Sequence, residues 1–190
     1  TNDFGVCIVK SSDNTINDNT ISSNKEEGIR LSVSTGNAVT NNEITGNKGD
    51  GLWMAYSSNN SFTGNNITGS SREGVKVYHC SKNTFDGNNI AFNARDGIWH
   101  LGSTETTIIN NVFQSDGILI YDNEVQYWNT HTIENNTANG RPVRFYKNSV
   151  GNTVPQNTGQ VILANCTGCT IENLDITDVD TAIQLGFCNN

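Results

Sequence analysis

The chain is built from short runs of alternating apolar and polar residues, and Asn, Gly or Ser breaks each run. The alternation has the period of two that is typical of a β-strand with one buried face. A run such as Ile29-Arg30-Leu31 follows each member of a series of glycines. These glycines are spaced 23 residues apart: Gly5, Gly28, Gly51, Gly74 and Gly97. The pattern therefore indicates a repeat of short strands.

Three further positions recur with the same period. Eleven residues after each glycine lies an apolar residue: Ile16, Val39, Phe62, Phe85 and Ile108. Five residues later lies another: Ile21, Ile44, Ile67, Ile90 and Phe113. An Asn stands between the two in every repeat: Asn19, Asn42, Asn65, Asn88 and Asn111. No repeat contains the apolar spacing of three and four residues that a helix requires, so we predict three strands per repeat.

One such repeat cannot bury its own apolar face, but stacked repeats can, because equivalent residues then lie about 4.8 Å apart. Ile and Val would line the interior, and Asn side chains at the corners would bond to the coils above and below. Parallel strands joined by crossovers form right-handed connections. The sequence therefore predicts an all-β fold, a right-handed parallel β-helix (a solenoid) of about eight coils of about 22–23 residues. We expect residues 1–190 to form a single segment of it.

The repeat loosens after Gly97, since the next glycine, Gly117, comes three residues early. The first apolar position then comes 16 rather than 11 residues after the glycine, at Ile133. We place the extra residues in a bulging loop at Asn123–His131. The columns are expected to continue through Ile133, Asn136, Val154, Asn157 and Ile171. Both ends of the chain fall within a coil, so we expect a piece of a longer solenoid, or stacking on neighbouring coils of another chain.

The composition fits a solenoid and argues against two classes of partner. Only 34% of the residues are hydrophobic and 16% are charged, while 31 are Asn, a residue that suits tight corners. The sequence contains no apolar run of about 20 residues, so no transmembrane segment is predicted. The net charge of -8 argues against a nucleic-acid partner.

The repeat resembles a known family. The pattern Asn-x-Ile-x-x-Asn-x-Ile, followed by Gly-Ile-x-Leu, is similar to NosD-type β-helix repeats, and residues 159–174 resemble repeats of archaeal surface β-helix proteins. The resemblance implies a place in the broad class of carbohydrate-binding proteins and sugar hydrolases. It also implies a role in maturing a copper enzyme, but one Met and three scattered His offer no cluster of soft ligands for copper.

Alternation within each strand directs one set of side chains outwards, and two outward columns carry candidate ligand-binding residues. The candidates in these columns and at their border are Arg30, Trp53, Lys76, Tyr78, His79, Trp99 and Tyr121. Indole rings stack on sugar rings and cations bind uronate carboxylates, so these residues predict a groove for a glycan. The alternative is that the aromatic rings pack beneath a neighbouring loop or against one another across strands.

A column of acidic residues lies just before the repeat glycines: Glu27, Asp50, Glu73, Asp96 and Asp116. We favour an interpretation in which these side chains occupy tight turns and point into water. A calcium ion held by stacked carboxylates is one alternative, and catalytic carboxylates are another. No other metal site and no cofactor is predicted.

The sequence assigns no catalytic residue, although it offers candidates. A lyase or epimerase would need a base, an acid and a cation. Residues of these types lie within a few coils of one another: Arg30, Lys76, Tyr78, His79 and Asp96. A glycosidase could instead pair Glu73 with Asp50 or Asp96.

Several His and Cys residues fall on the repeat itself. His100 occupies an inward column and is expected in the core, and His131 replaces an Asn of the ladder. Cys166 and Cys188 occupy equivalent places in adjacent coils, where either two buried thiols or a disulfide would fit.

These features predict an extracellular, cell-surface or periplasmic module that interacts with polysaccharide and is non-catalytic in this segment. One alternative is a polysaccharide lyase, epimerase or hydrolase that acts on an acidic glycan. The other is a structural spacer of a cell envelope or filament. Whether the chain is an enzyme stays open at this point.

Overall fold

A computed structural model of the chain describes residues 2–189. The first five coils are made of short strands, which in chain order are β1 (Val6–Val9), β2 (Thr15–Asn17), β3 (Thr20–Ser22), β4 (Ile29–Ser32), β5 (Ala38–Thr40), β6 (Glu43–Thr45), β7 (Leu52–Ala55), β8 (Ser61–Thr63), β9 (Asn66–Thr68), β10 (Val75–Tyr78), β11 (Thr84–Asp86), β12 (Asn89–Ala91), β13 (Ile98–Leu101), β14 (Thr107–Ile109) and β15 (Val112–Gln114). The remaining elements are β16 (Ile118–Ile120), α1 (Gln126–Asn129), β17 (Thr132–Glu134), β18 (Thr137–Ala138), β19 (Arg141–Lys147), β20 (Gln160–Ala164) and β21 (Ile183–Gly186).

The strands form three parallel sheets that run along the solenoid. The first sheet has the order β1-β4-β7-β10-β13-β16, and the second runs from β2 through β5, β8, β11 and β14 to β17. The third sheet begins β3-β6-β9-β12-β15-β18. Each coil pairs with the next in register, as Val75 does with Ile98. The prediction of a right-handed parallel β-helix of about eight turns is confirmed.

The inward residues form the apolar ladders that the repeat predicts. The side chains of Ile29, Leu52, Val75 and Ile98 in the first sheet are fully buried. In the second sheet the rings of Phe62 and Phe85 stack with centroids 4.8 Å apart. Burying such a side chain contributes about 1.5–3 kcal/mol, so the repeated ladder is the main source of stability.

The Asn ladders join each coil to both of its neighbours. The Asn88 side-chain oxygen accepts from the Asn65 backbone N–H at 2.9 Å, and its amide donates to the Phe62 carbonyl at 3.0 Å. The Asn88 backbone N–H donates to Asn111 at 2.9 Å. The residue before each such Asn turns the chain through a left-handed conformation, as Gly87 does with φ 64. The predicted ladder is therefore confirmed, and it satisfies the corner backbone groups.

A further ladder, which was not predicted from the sequence, lies at the corner that follows the first strand of each coil. The Ser34 N–H donates to the Ser57 hydroxyl at 3.0 Å, and the Cys80 N–H donates to the Ser103 hydroxyl at 3.0 Å. Between these two steps, the Ser57 N–H donates to the Cys80 sulfur at 3.4 Å. Cys80 thus replaces a serine as an acceptor in the ladder.

The last part of the chain departs from the repeat. A turn at Asn139-Gly140 makes β19 antiparallel to β18, after which β19, β20 and β21 pair in parallel. A second core of four buried residues forms on the far side of β20: Val154, Val161, Leu163 and Cys166. The expectation that the columns continue through Val154 and Asn157 was therefore wrong, because Val154 belongs to this second core and Asn157 is exposed.

Two glutamine side chains cover the edge of the first sheet. The Gln160 amide oxygen accepts from the Ile118 N–H at 3.0 Å, and its nitrogen donates to the Ile118 carbonyl at 2.8 Å. The Gln184 oxygen accepts from the Ile120 N–H at 3.0 Å. These amides occupy the place of a further strand, which prevents the edge of β16 from pairing elsewhere.

The predicted bulging loop at Asn123–His131 is present and contains the single helical turn α1. Trp128 anchors it, since this side chain is buried and its indole N–H donates to the Asp122 carbonyl at 3.0 Å. Within residues 2–189 no helix is long and apolar enough to cross a membrane.

We predict that Ile67→Asp or Ile90→Asp abolishes folding. Both side chains are fully buried, so the substitution places an unpaired carboxylate inside the coil. Circular dichroism should show loss of the strand signal and of any cooperative melting transition. A soluble Ile67→Asp protein that melts cooperatively would contradict the assignment.

We predict that Asn88→Ala lowers the free energy of unfolding by about 1–3 kcal/mol, because it leaves groups in two coils unpaired. Chemical denaturation measures the change. The control is Asn157→Ala, which removes an exposed side chain and should cost less than about 0.5 kcal/mol. Equal losses in the two variants would show that the ladder contributes nothing specific.

Candidate functional site

Four of the candidate residues form one continuous column on the outer face of the first sheet. Arg30 pairs with Trp53, and Lys76 pairs in register with Trp53 on one side and Trp99 on the other. All four side chains are half-buried. We call Arg30, Trp53, Lys76 and Trp99 the cation–aromatic column.

Within this column the cations stack on the indole rings. The Arg30 guanidinium carbon lies 4.3 Å from the ring centroid of Trp53, and the Lys76 Nζ lies 4.9 Å from that of Trp99. Each contact is worth about 0.5–1 kcal/mol and holds a long side chain in place. One face of each indole is thereby occupied, so a ligand would meet the exposed edges of the rings and the remaining N–H donors.

The column alternates with a period of two coils. Arg30 and Lys76 lie two strands apart, as do Trp53 and Trp99, which places like groups about 9.6 Å from each other along the solenoid. The surface therefore presents positive charge and aromatic rings at a regular spacing along one direction.

A second aromatic cluster borders the column at the end of the strands. The Tyr78 ring lies edge-on to His79, with centroids 4.2 Å apart, and His79 stacks on Tyr56 at 5.5 Å. A hydrogen bond with Tyr78 raises the pKa of the Tyr56 phenol. Tyr56 was not predicted from the sequence. It lies 23 positions before His79, which is one repeat, so the two residues belong to the same column.

His79 and Tyr56 both occupy left-handed backbone positions with φ 49. Bulky residues rarely adopt this conformation, so the cluster stands at a strained corner. In the next coil the equivalent position is Gly102, where a Cβ would lie 2.3 Å from the His79 Nδ1. The glycine therefore gives the imidazole room to lie against the coil above it.

Tyr121 lies on the same outer face, near the bulging loop. Its backbone N–H donates to the His100 carbonyl at 3.0 Å, which continues the pairing of β13 with β16. Its side chain is 66% exposed and, with Leu101, Asp122 and Asn123, lines an open cavity of about 410 Å³. The structure thus places all seven sequence-predicted residues on the first sheet or its adjoining corner.

The acidic column does not point into water, so the favoured interpretation was wrong. Glu27, Asp50, Glu73 and Asp116 are buried, and Asp96 is half-buried. The side chains turn towards neighbouring coils: Asp50 accepts from the Glu73 N–H at 3.2 Å, and Asp116 accepts from the Asn93 amide at 2.7 Å. Stacking in register brings these carboxylates beside one another instead of separating them.

Burial of these carboxylates changes their protonation. Desolvation, together with the neighbouring Glu73, raises the pKa of Asp50 to about 8. Burial opposes ionisation of Glu73 as well, but the hydrogen bond from Asp50, a backbone hydrogen bond and the charges of Lys76 and Arg95 together outweigh burial and lower the Glu73 pKa. At neutral pH the two therefore share one proton, which Asp50 holds. Arg95 lies 3.7 Å from the Glu73 carboxylate and partly balances its charge.

The calcium alternative for the acidic column is not supported. In the part of the chain that the structure describes, no three His, Cys, Asp or Glu side chains are grouped so that they could hold a metal ion. Single carboxylate oxygens accept from a backbone N–H or a side-chain amide or lie near one arginine, whereas Glu73 Oε2 and Asp116 Oδ1 have no hydrogen-bond partner among the described residues.

The two inward histidines lie in the core, as predicted. The rings of His100 and His131 are buried, with centroids 5.0 Å apart. His131 takes the ladder position of an Asn, since its Nδ1 accepts from the Thr106 N–H at 3.2 Å. Burial lowers the pKa of His131 to about 4 and that of His100 well below its usual value, so both are neutral.

The fold and the ladders define a right-handed parallel β-helix protein, and the family can now be stated. A model of the family described as "Periplasmic copper-binding protein (NosD)" matches residues 1–145, and the chain belongs to this family. No curated protein matches the chain significantly.

Solved β-helix structures share the fold. The A-module of the mannuronan C-5 epimerase AlgE6 from Azotobacter vinelandii superposes with a TM-score of 0.59 at 15% identity, covering 98% of this chain and 54% of that module. A mutant of the periplasmic alginate epimerase AlgG superposes with a TM-score of 0.60 at 17% identity, covering 98% of this chain and 47% of that protein. The chain thus spans about half the length of these similar structures.

The residues present do not fit the copper that the family description names. Copper favours imidazole, thiolate and thioether ligands, but no three His, Cys, Asp or Glu side chains among the described residues are grouped so that they could hold a metal ion. His131 already uses both ring nitrogens, because its Nε2 bonds to the Tyr127 carbonyl at 2.9 Å. Of the two buried histidine rings in the described part of the chain, His100 has both nitrogens without a hydrogen-bond partner, and one imidazole is not a copper site.

We predict that stability falls as the pH rises from about 6.5 to about 8. Folded Asp50 keeps its proton up to about pH 8, whereas in the unfolded chain its pKa is near 3.8 and the proton is already lost. The unfolded state therefore binds fewer protons in this window, so raising the pH destabilises the fold. The buried histidines oppose this slope near pH 6.5, where an unfolded imidazole is still partly protonated, and contribute little above about pH 7.

Chemical denaturation at pH 6.5, 7.25 and 8 measures this slope. Asp50→Asn should flatten it, because an amide can donate to Glu73 and accept from its N–H at every pH. Asp18→Asn, at an exposed left-handed position that Asn tolerates, is the control and should keep the wild-type slope. An unchanged slope in Asp50→Asn would show that the buried pair does not share a proton.

Proposed function

We propose that this chain is an extracellular or periplasmic module that binds an acidic polysaccharide along its first sheet and is non-catalytic in this segment. The observation that carries the proposal is the cation–aromatic column, in which Arg30 and Lys76 alternate in register with Trp53 and Trp99. The family described as periplasmic supports the location, and the alginate and mannuronan epimerases that share the fold support an acidic glycan as the ligand.

The spacing of the column suits a linear polymer of acidic sugars. Two coils span about 9.6 Å, which is close to the length of two sugar units. A glycan lying along the solenoid would then bring every second carboxylate to Arg30 and Lys76. The indole edges of Trp53 and Trp99 would contact the intervening sugar rings. Tyr78, His79 and Tyr121 would border the same groove and supply hydroxyl and imidazole groups for hydrogen bonds.

The exposure of the column favours binding over mere packing. Rings that only covered the core would be buried, whereas Trp53 and Trp99 are half-buried and their cation partners are partly exposed. The cations on the indoles also reduce the flexibility of the column, so less conformational entropy is lost when a ligand binds.

A polysaccharide lyase or epimerase is the second candidate, and one observation favours it. Tyr56, Tyr78 and His79 contact one another at the end of the strands, so a phenol and an imidazole lie along the side of the groove, in the same coils as Lys76. Such groups could take a proton from a uronate ring and neutralise its carboxylate. A spacer of a cell envelope or filament is the outcome if no glycan binds.

We predict that Trp53→Ala and Trp99→Ala each weaken binding of alginate-derived oligouronates by about 1–3 kcal/mol, as aromatic anchors do. Lys76→Ala should weaken binding of oligouronates but not of neutral oligosaccharides, and high salt should have the same effect on the wild type. Isothermal titration calorimetry measures both. The control is Phe92→Asn, an exposed aromatic residue at another corner whose left-handed backbone Asn tolerates.

The same oligouronates test the rival functions. Shortened chains or an unsaturated product that appears with wild type but not with His79→Asn would support the lyase and contradict a non-catalytic module. Absence of binding by the wild type, together with loss of thermal stability in both Trp variants, would overturn the groove and leave the spacer.

A further inference from the structure

Three cysteines gather in the last two coils, outside the groove. Ala164 pairs with Gly186 and Thr167 pairs with Asn189, so the register places Cys166 directly opposite Cys188. These two residues and Cys169 line one cavity of about 320 Å³, together with Leu163, Leu185 and Asn189. All five cysteines of the chain are free thiols here.

The geometry of the pair suits a covalent bond between coils. Neighbouring parallel strands place paired Cα atoms about 4.8 Å apart, within the range of about 4.4–6.8 Å that disulfides span. The two side chains also point the same way, because each thiol bonds to the carbonyl two residues before it. Cys166 Sγ lies 3.5 Å from the Ala164 oxygen, and Cys188 Sγ lies 3.4 Å from the Gly186 oxygen.

The two thiols differ in access, which suggests an order of reaction. Cys188 is partly exposed, whereas Cys166 is only 1% exposed. Burial, together with the neighbouring thiols of Cys166 and Cys169, raises the pKa of Cys188. An incoming disulfide would thus reach Cys188 before Cys166.

We propose that Cys166 and Cys188 are a site of disulfide formation by exchange with an external disulfide, which ties the last described coil to the one before it. The Cys188 thiolate attacks one sulfur of the external disulfide, so a mixed disulfide forms and one thiol leaves. The Cys166 thiolate then attacks the Cys188 sulfur, the protein disulfide forms and the second thiol leaves. The external disulfide is reduced to two thiols as the two cysteines are oxidised.

The bond would stabilise the part of the fold that has the smallest hydrophobic core. The second core contains four buried residues, far fewer than the main core, and much of residues 168–182 lies outside the strands. A crosslink from 166 to 188 closes a loop around this segment and restricts its opening. The oxidising conditions of an extracellular or periplasmic compartment would supply the disulfide.

Oxidised glutathione at pH 8 tests the proposal on the purified protein. Peptide mapping by mass spectrometry without reduction should show a Cys166–Cys188 link and the loss of two hydrogens. Cleavage of residues 168–182 in limited proteolysis should slow by about tenfold once the link has formed. Cys169→Ser should behave like the wild type, and Cys80 should stay unmodified, since burial raises the pKa of its thiol to about 11.

Cys166→Ser and Cys188→Ser should each lose both the link and the slower proteolysis. The hydroxyl can keep the bond to the carbonyl two residues before it, so these variants should fold. A dominant Cys169–Cys188 link in the wild type, or a stable glutathione adduct on Cys188 with Cys166 still reduced, would overturn the proposal. A link that forms without slowing the proteolysis would overturn its role in securing the coil.

Discussion

The structure depends on the hydrogen bonds by which each corner Asn joins three coils. Asn88 bonds to Asn65 and Phe62 in the preceding coil and to Asn111 in the following coil. A slip of one residue between two coils would break these bonds and turn the apolar residues outwards. The ladder therefore sets the register, and the register places every other feature of the surface.

The same register decides which side chains of neighbouring coils meet. On the outer face it produces an alternation of Arg30 and Lys76 with two indoles, which is favourable because cations and aromatic faces attract. Before the glycines it stacks carboxylates, which is unfavourable unless some hold protons, as Asp50 does. In the last coils it places one thiol opposite another. Stacking in register thus accounts for the cation–aromatic column, the buried carboxylates and the facing thiols alike.

Two segments depart from the repeat, the bulging loop and the chain after β18, and both lie next to the first sheet. The bulging loop with α1 follows Tyr121. Asp122, the residue just before this loop, accepts from the Gly102 N–H at 2.6 Å, and Gly102 occupies the position equivalent to His79 in the next coil. The antiparallel turn after β18 starts a second core and brings Gln160 and Gln184 to the edge of β16. Both irregular segments therefore lie at the β16 end of the first sheet, where one follows Tyr121 and the other covers the strand edge.

The sequence alone determined the fold, the strand positions, the Asn ladders and the outward column of Arg30, Trp53, Lys76 and Trp99, because an in-register stack converts the 23-residue spacing directly into spatial contact. Tertiary structure decided the features that periodicity does not describe. Burial of Glu73 and its neighbours depends on which way a corner side chain turns, the contact of Tyr56 with His79 depends on left-handed backbone, and the second core depends on a single reversed strand. Residue spacing indicates which of these residues stack, but not which way a corner side chain turns or where a strand reverses, because both depend on local backbone conformation.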